Sequence, residues 1–195
     1  MPKVIVEKEY NKLIIRIKPM AALYGGELKA LIPYNADLIS IDLSGASEFH
    51  SEYGLQGQKV KVDLSGASDC YCDIDADEID MELSGSSEIT GNVSATYLGL
   101  DMSGSSDATL EGEVTSLAID LSSASTLKKT VIGNRYGLVC EYCDGEMSGS
   151  SDAYIHCDGT IRVNLSGSSE LHFTGTAFTG DSHTSGGSDI IHDVL

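Results

Sequence analysis

The chain has 195 residues, enough for one domain with a real core, and a formal charge of −18. Such an acidic balance disfavours a nucleic-acid partner, whose backbone is gripped by clustered Lys and Arg, and it disfavours an anionic membrane surface as well. Trp is absent and no apolar run reaches the roughly 20 residues of a membrane helix.

In chain order, the opening MPKVIVEKEY lacks the apolar core of a signal peptide. It implies either a cytoplasmic protein or a chain without its natural leader. VIVEKEYNKLIIRIK reads as two strands around a polar turn near residues 10–12. A strand and a Pro33 break then lead to the first copy of a small Ser-rich phrase at Ser44.

That phrase recurs. Its first Ser is Ser44, Ser65, Ser84, Ser103, Ser122, Ser148, Ser166 and Ser185, giving steps of 21, 19, 19, 19, 26, 18 and 19 residues. A period near 19 over eight copies is the signature of a stacked array. Before each corner the residues alternate apolar, polar, apolar, as in Ile41-Asp42-Leu43, Met81-Glu82-Leu83 and Ile119-Asp120-Leu121. After it the alternation resumes, as in Cys70, Cys72, Ile74 and in Leu171, Phe173. A period of two marks strands with one face inward. Nothing recurs at three or four residues, and Gly, Ser and Thr are too frequent for helix interiors.

The expected fold is therefore all-β: a right-handed parallel β-helix, or solenoid, of about eight coils over residues 36–195. The two N-terminal strands, within residues 1–35, are expected to form a β cap over the open end of this stack. Strands about 4.8 Å apart would make the stack roughly 35 to 40 Å tall. Corners must be small because each lies one strand spacing from its copy, and Gly supplies positive φ there. The fifth copy, Ser122-Ser123-Ala124-Ser125, lacks that Gly and precedes the long step. An insertion is thus expected at residues 127–137, reading LKKTVIGNRYG. As the one cationic, irregular patch on an acidic scaffold, its Lys128, Lys129, Asn134, Arg135 and Tyr136 are the candidate ligand-binding residues, since loops carry function more often than scaffolds.

Stacking also aligns acids. Asp42, Asp63, Glu82, Asp101, Asp120 and Glu146 form one expected outward row. Glu48, Asp69, Glu88, Asp107, Asp152, Glu170 and Asp189 form another, whose members from Asp69 onward are a candidate Ca2+ ladder. The competing reading is a solvated acidic edge that discourages sideways aggregation. Like charges 5 Å apart in water repel by about 0.8 kcal/mol, less than the roughly 2 kcal/mol contributed by one buried Leu, so the fold needs no metal. The five Cys cannot all pair within the chain. Cys140-x-x-Cys143 without a matching pair is a weak zinc signal, and Cys70, Cys72 and Cys157 occupy positions filled elsewhere by small hydrophobes.

With the repeat laid out, the chain resembles the head GIN domain family of auto-transporter adhesins. The resemblance rests on the serial corners LSGASD, LSGSSE and MSGSSD and on the lead-in LKALIPYNADLISIDLSGASEF, and it covers roughly Lys12 to the C-terminus. It implies a β-helix of pectin-lyase-like shape, a cell-envelope or extracellular location, and adhesion as the role. An extracellular glycan or a host or cell-surface protein would be the partner, and a homo-oligomer is compatible with it. It carries no catalytic residues. Where this sequence departs, Ser68, Ser87 and Ser106 stand in place of a second corner Gly.

The alternative is a polysaccharide lyase or hydrolase on the same scaffold. A lyase wants Lys or Arg beside acids, and only Lys59, Lys61 and Arg162 fall on the repeats. A hydrolase needs only two carboxylates, which thirty acids supply by chance. The five His fall in no metal or Ser-His-Asp pattern, and no corner Ser has a neighbouring base.

Overall fold

The structure is a computed structural model that describes residues 4–9, 12–17 and 39–195. Two compact units divide at residues 34 and 35. In the first, Val4–Glu9 and Lys12–Ile17 form an antiparallel hairpin in which Glu9 pairs with Lys12. The expected turn at residues 10–11 and the Pro33 break lie outside the described residues.

The second unit is a parallel β-solenoid, all strand and turn, with about eight coils. Copies of the repeat pair residue for residue. Asp63 faces Asp42 and Glu82, Glu82 faces Asp101, and Asp101 faces Asp120. Such register is forced wherever one face is buried, because a slip of one residue would turn every apolar side chain to solvent. Inward rows fill the core: Val60, Ile79, Leu98, Leu117, Cys143 and Ile161 follow one another up the stack, each at most 1% exposed.

The corner is a hydrogen-bonded device. The Ser106 hydroxyl donates to the Ser103 carbonyl at 3.0 Å, and the same bond recurs at Ser68, Ser87, Ser125, Ser151 and Ser169. All six serines are buried. A buried hydroxyl without a partner would cost about 1–3 kcal/mol, and here it closes the bend that each coil must make. The opening residue of the phrase lies at the edge of solvent, while the fourth is structural.

The long step does not break the stack. Thr126–Leu127 pairs in parallel with the coils on both sides. The chain then leaves as a small antiparallel hairpin, Val131–Ile132 against Arg135–Tyr136, and rejoins the ladder at Leu138. Gly133 has φ +66° and Asn134 stays in the ordinary region, the pattern of a type II′ hairpin turn.

Candidate functional site

Three places have the chemistry to be considered: the insertion, the acid rows, and a trough along a second bend. At the insertion the five candidate residues separate. Lys128 does not reach outward. Its Nζ sits 3.1 Å from both Glu88 Oε1 and Asp107 Oδ2. Burial would lower its pKa, yet the hydrogen bonds to these two carboxylates raise it, so the ammonium stays charged. Lys129 lies over two rings, 5.3 Å from the Tyr136 centroid and 5.9 Å from that of Tyr154. Arg135 Nη2 is 3.5 Å from Glu113 Oε1, and Asn134 is exposed at the hairpin tip.

Tyr136, the fifth candidate, is fully buried. Its backbone N–H donates to Thr174 Oγ1 at 3.1 Å, and its hydroxyl donates a short bond to Asp193 Oδ2. The ring meets Tyr154 edge-on, with centroids 5.6 Å apart. Tyr154 stacks in turn on His172, whose Nδ1 is 2.9 Å from the same Asp193 oxygen. The insertion is therefore clasped onto the last coils instead of standing free. The Tyr136 hydroxyl is the first cause holding the Asp193 carboxyl below its ordinary range, with His172 adding to it. Burial, then Asp193, pushes the Tyr136 phenol well up. A phenol followed by a Gly-flanked strand gives no sequence signal for this contact, which joins residues 57 positions apart.

The two acid rows form, with differences. The first runs from Asp42 to Glu146 and continues through Asn164 to His183. Lys61 ties Asp63 at 3.3 Å and Glu82 at 3.0 Å. Asp101 is pushed up by burial, then by the charges of Asp120 and Glu82. In the second row Thr126 separates Asp107 from Asp152, and Lys128 bridges Glu88 and Asp107. Asp152 is raised by burial, then by Glu170. The candidate Ca2+ ladder of Asp69, Glu88, Asp107, Asp152, Glu170 and Asp189 falls along this second row. Among the described residues no three His, Cys, Asp or Glu side chains converge to hold an ion. One carboxylate per coil, each a strand spacing from the next, does not wrap a cation that takes six to eight oxygens.

The cysteines are all free and buried. Burial pushes the Cys70 thiol up to about 12 and that of Cys72 to about 11, so both remain thiols at neutral pH. Cys140 and Cys157 are register partners in neighbouring strands, and Cys143 fills the core row beside Leu117. These thiols pack as small hydrophobes.

The trough lies where ladder pairing skips Asp77 and Thr96, marking a second bend in each coil. Its volume is about 420 Å³. Gly57, Ala76 and Ala95 stack in register as its floor, with Gln56, Asp75 and Ser94 along one bank and Asp77 and Thr96 along the other. The next two floor residues are Val114 and Cys140, so on that side the depression ends at Ala95, and among the described residues it spans three coils. A smaller hollow of about 230 Å³ lies between Asp120, Glu146, Asn164 and His183 and the corner serines. Sequence reading misses the trough because its signal is three small residues in register, which only the pairing reveals.

A family described as "Putative auto-transporter adhesin, head GIN domain" matches residues 1–177. The chain belongs to that family. Among solved structures it is similar to a crystal structure described as a putative adhesin from Parabacteroides distasonis ATCC 8503. That similarity has a TM-score of 0.75 at 18% identity, covering 98% of this chain and 76% of that one. At such identity the likeness speaks for the fold. No curated protein matches the chain. The head GIN stack holds no helix among the described residues long and apolar enough to cross a membrane.

Proposed function

We propose that this head GIN domain is a non-catalytic adhesive module displayed at the cell surface, binding an external glycan or surface protein. The observation that carries the reading is the disposition of its basic groups. On the coils, Lys59 is held by Glu78 and Asp80, Lys61 by Asp63 and Glu82, Lys128 by Glu88 and Asp107, and Arg162 by Asp144. A lyase needs a base free to take a proton from its substrate, and these cations are spent on neighbouring carboxylates. The Tyr136–Asp193–His172 cluster has the residue types of an acid–base site, yet its phenol is buried and its groups satisfy one another. The family description supports adhesion as the role.

The test is attachment. Beads carrying the chain at one terminus should adhere to glycan-coated or cell surfaces under flow, while beads carrying heat-unfolded chain should not. Equal attachment by folded and unfolded beads would end the adhesive reading.

A further inference from the structure

Resting on the adhesive reading, we infer that the trough floored by Gly57, Ala76 and Ala95 is a binding site for an uncharged, hydroxyl-rich glycan. The trough, of about 420 Å³, is open along the surface, so it suits an extended polymer lying across the coils better than an enclosed small molecule. What lines it selects the chemistry. Gln56 offers an amide, Ser94 and Thr96 offer hydroxyls, and Asp75 and Asp77 offer carboxylate acceptors, all exposed. Apolar surface in the lining itself is small, with the half-exposed Ile39 beside Gly57 at one end, which leaves little for a lipid or an apolar chain to bury.

Charge narrows the choice. Among the described residues no cation lines the trough, and the nearest along the strand, Lys59, is committed to Glu78 and Asp80. An anionic polymer would meet Asp75 and Asp77 unscreened. A neutral sugar presents vicinal hydroxyls that donate to carboxylates and accept from amide and hydroxyl groups, so each lining group finds a partner. The small floor lets a ring approach the backbone closely. Just past the bend, Tyr97 stays 39% exposed, and its ring covers the space above Gly99. A glycan long enough to leave the trough meets that ring as a stacking surface. The floor residues rise to Val114 and Cys140 further up, which sets the site at this end of the stack.

The test is calorimetric titration of the full chain with neutral hexasaccharides of glucose, mannose and galactose, and with oligolysine. The doubly substituted variant Ser94→Arg, Thr96→Arg fills the trough from two exposed positions that bury nothing, and its fold is checked by thermal melting. At least one hexasaccharide should bind, with affinity unchanged between about 50 and 500 mM salt, and about tenfold or more weaker in the double variant. Undiminished binding by the folded double variant would overturn the site. Salt-sensitive binding of oligolysine with no hexasaccharide bound would overturn the ligand class in favour of a basic peptide. If no hexasaccharide binds while coated beads still adhere, the glycan inference falls and the adhesive reading stands; if the beads fail as well, both fall.

Discussion

The substitution Gly104→Val is expected to lower stability by more than about 3 kcal/mol, read as a shift of the denaturant midpoint. Gly104 has φ +79°, where an L-residue costs roughly 1–2 kcal/mol. A Cβ there would lie 2.5 Å from the Gly85 carbonyl oxygen and 3.0 Å from its nitrogen, both backbone atoms that cannot swing away. Moving them would break the bond from Ser105 N–H to that same oxygen, 2.7 Å long. The fifth coil provides a natural comparison. Ser123 takes the same corner position with φ +66°, and the bond from Ala124 N–H to the Gly104 carbonyl is 2.9 Å, against 2.6 to 2.7 Å at the other corners. One coil has opened slightly to admit one Cβ. A branched side chain in the middle of the stack asks for far more room.

Tyr136→Ala should cost about 3–5 kcal/mol, as for other large aromatic truncations, and should loosen the insertion from the last coils. The ring is fully buried, and its loss also strips Asp193 of the phenol that holds it. Tyr136→Phe separates the two effects. It keeps the ring and removes the hydrogen bond, for an expected loss of about 1–3 kcal/mol at neutral pH. The pH profile gives the sharper readout. Because Asp193 ionises below its ordinary range in the folded chain, its contribution is present above the ordinary carboxyl pKa and disappears as pH falls through the folded value. Asp101 and Asp152 work the other way, since their raised values penalise the folded state at neutral pH and acidification relieves them. Mild acid should therefore ease the ladders before stronger acid releases the clasp. In Tyr136→Phe the loss of stability toward pH 3 should shrink; a profile parallel to the parent's would show that Asp193 draws nothing from the phenol.

Much of the fold is legible in the sequence because the repeat carries two signals at once. The 19-residue period fixes the coil, and the alternation in Ile119-Asp120-Leu121 and its copies fixes which side faces inward. The acid rows follow from that register, and Asp42, Asp63 and Glu82 do line up. The role of the corner serines is half visible: smallness is readable, but the buried bond from the fourth serine to the first depends on backbone geometry. The insertion stands where the long step places it, and what its side chains touch is not readable from it. In sequence, Lys128 looks like a free cation because its partners, Glu88 and Asp107, lie 40 and 21 residues earlier. Tyr136 looks like a loop aromatic because its partner Asp193 lies 57 residues later. The trough is hidden for the same reason, since Gly57, Ala76 and Ala95 are ordinary small residues until the coils stack them. Local pattern reveals what each coil does for itself, and the contacts between distant coils need the structure.

The most direct measurement incubates the purified chain with neutral and acidic polysaccharides and scores both retention and polymer length. Retention of a polymer at unchanged length is the predicted result. Shortening of any polymer, abolished by replacing one particular carboxylate such as Asp101 or Asp120, would contradict the account and make an acid row an active site.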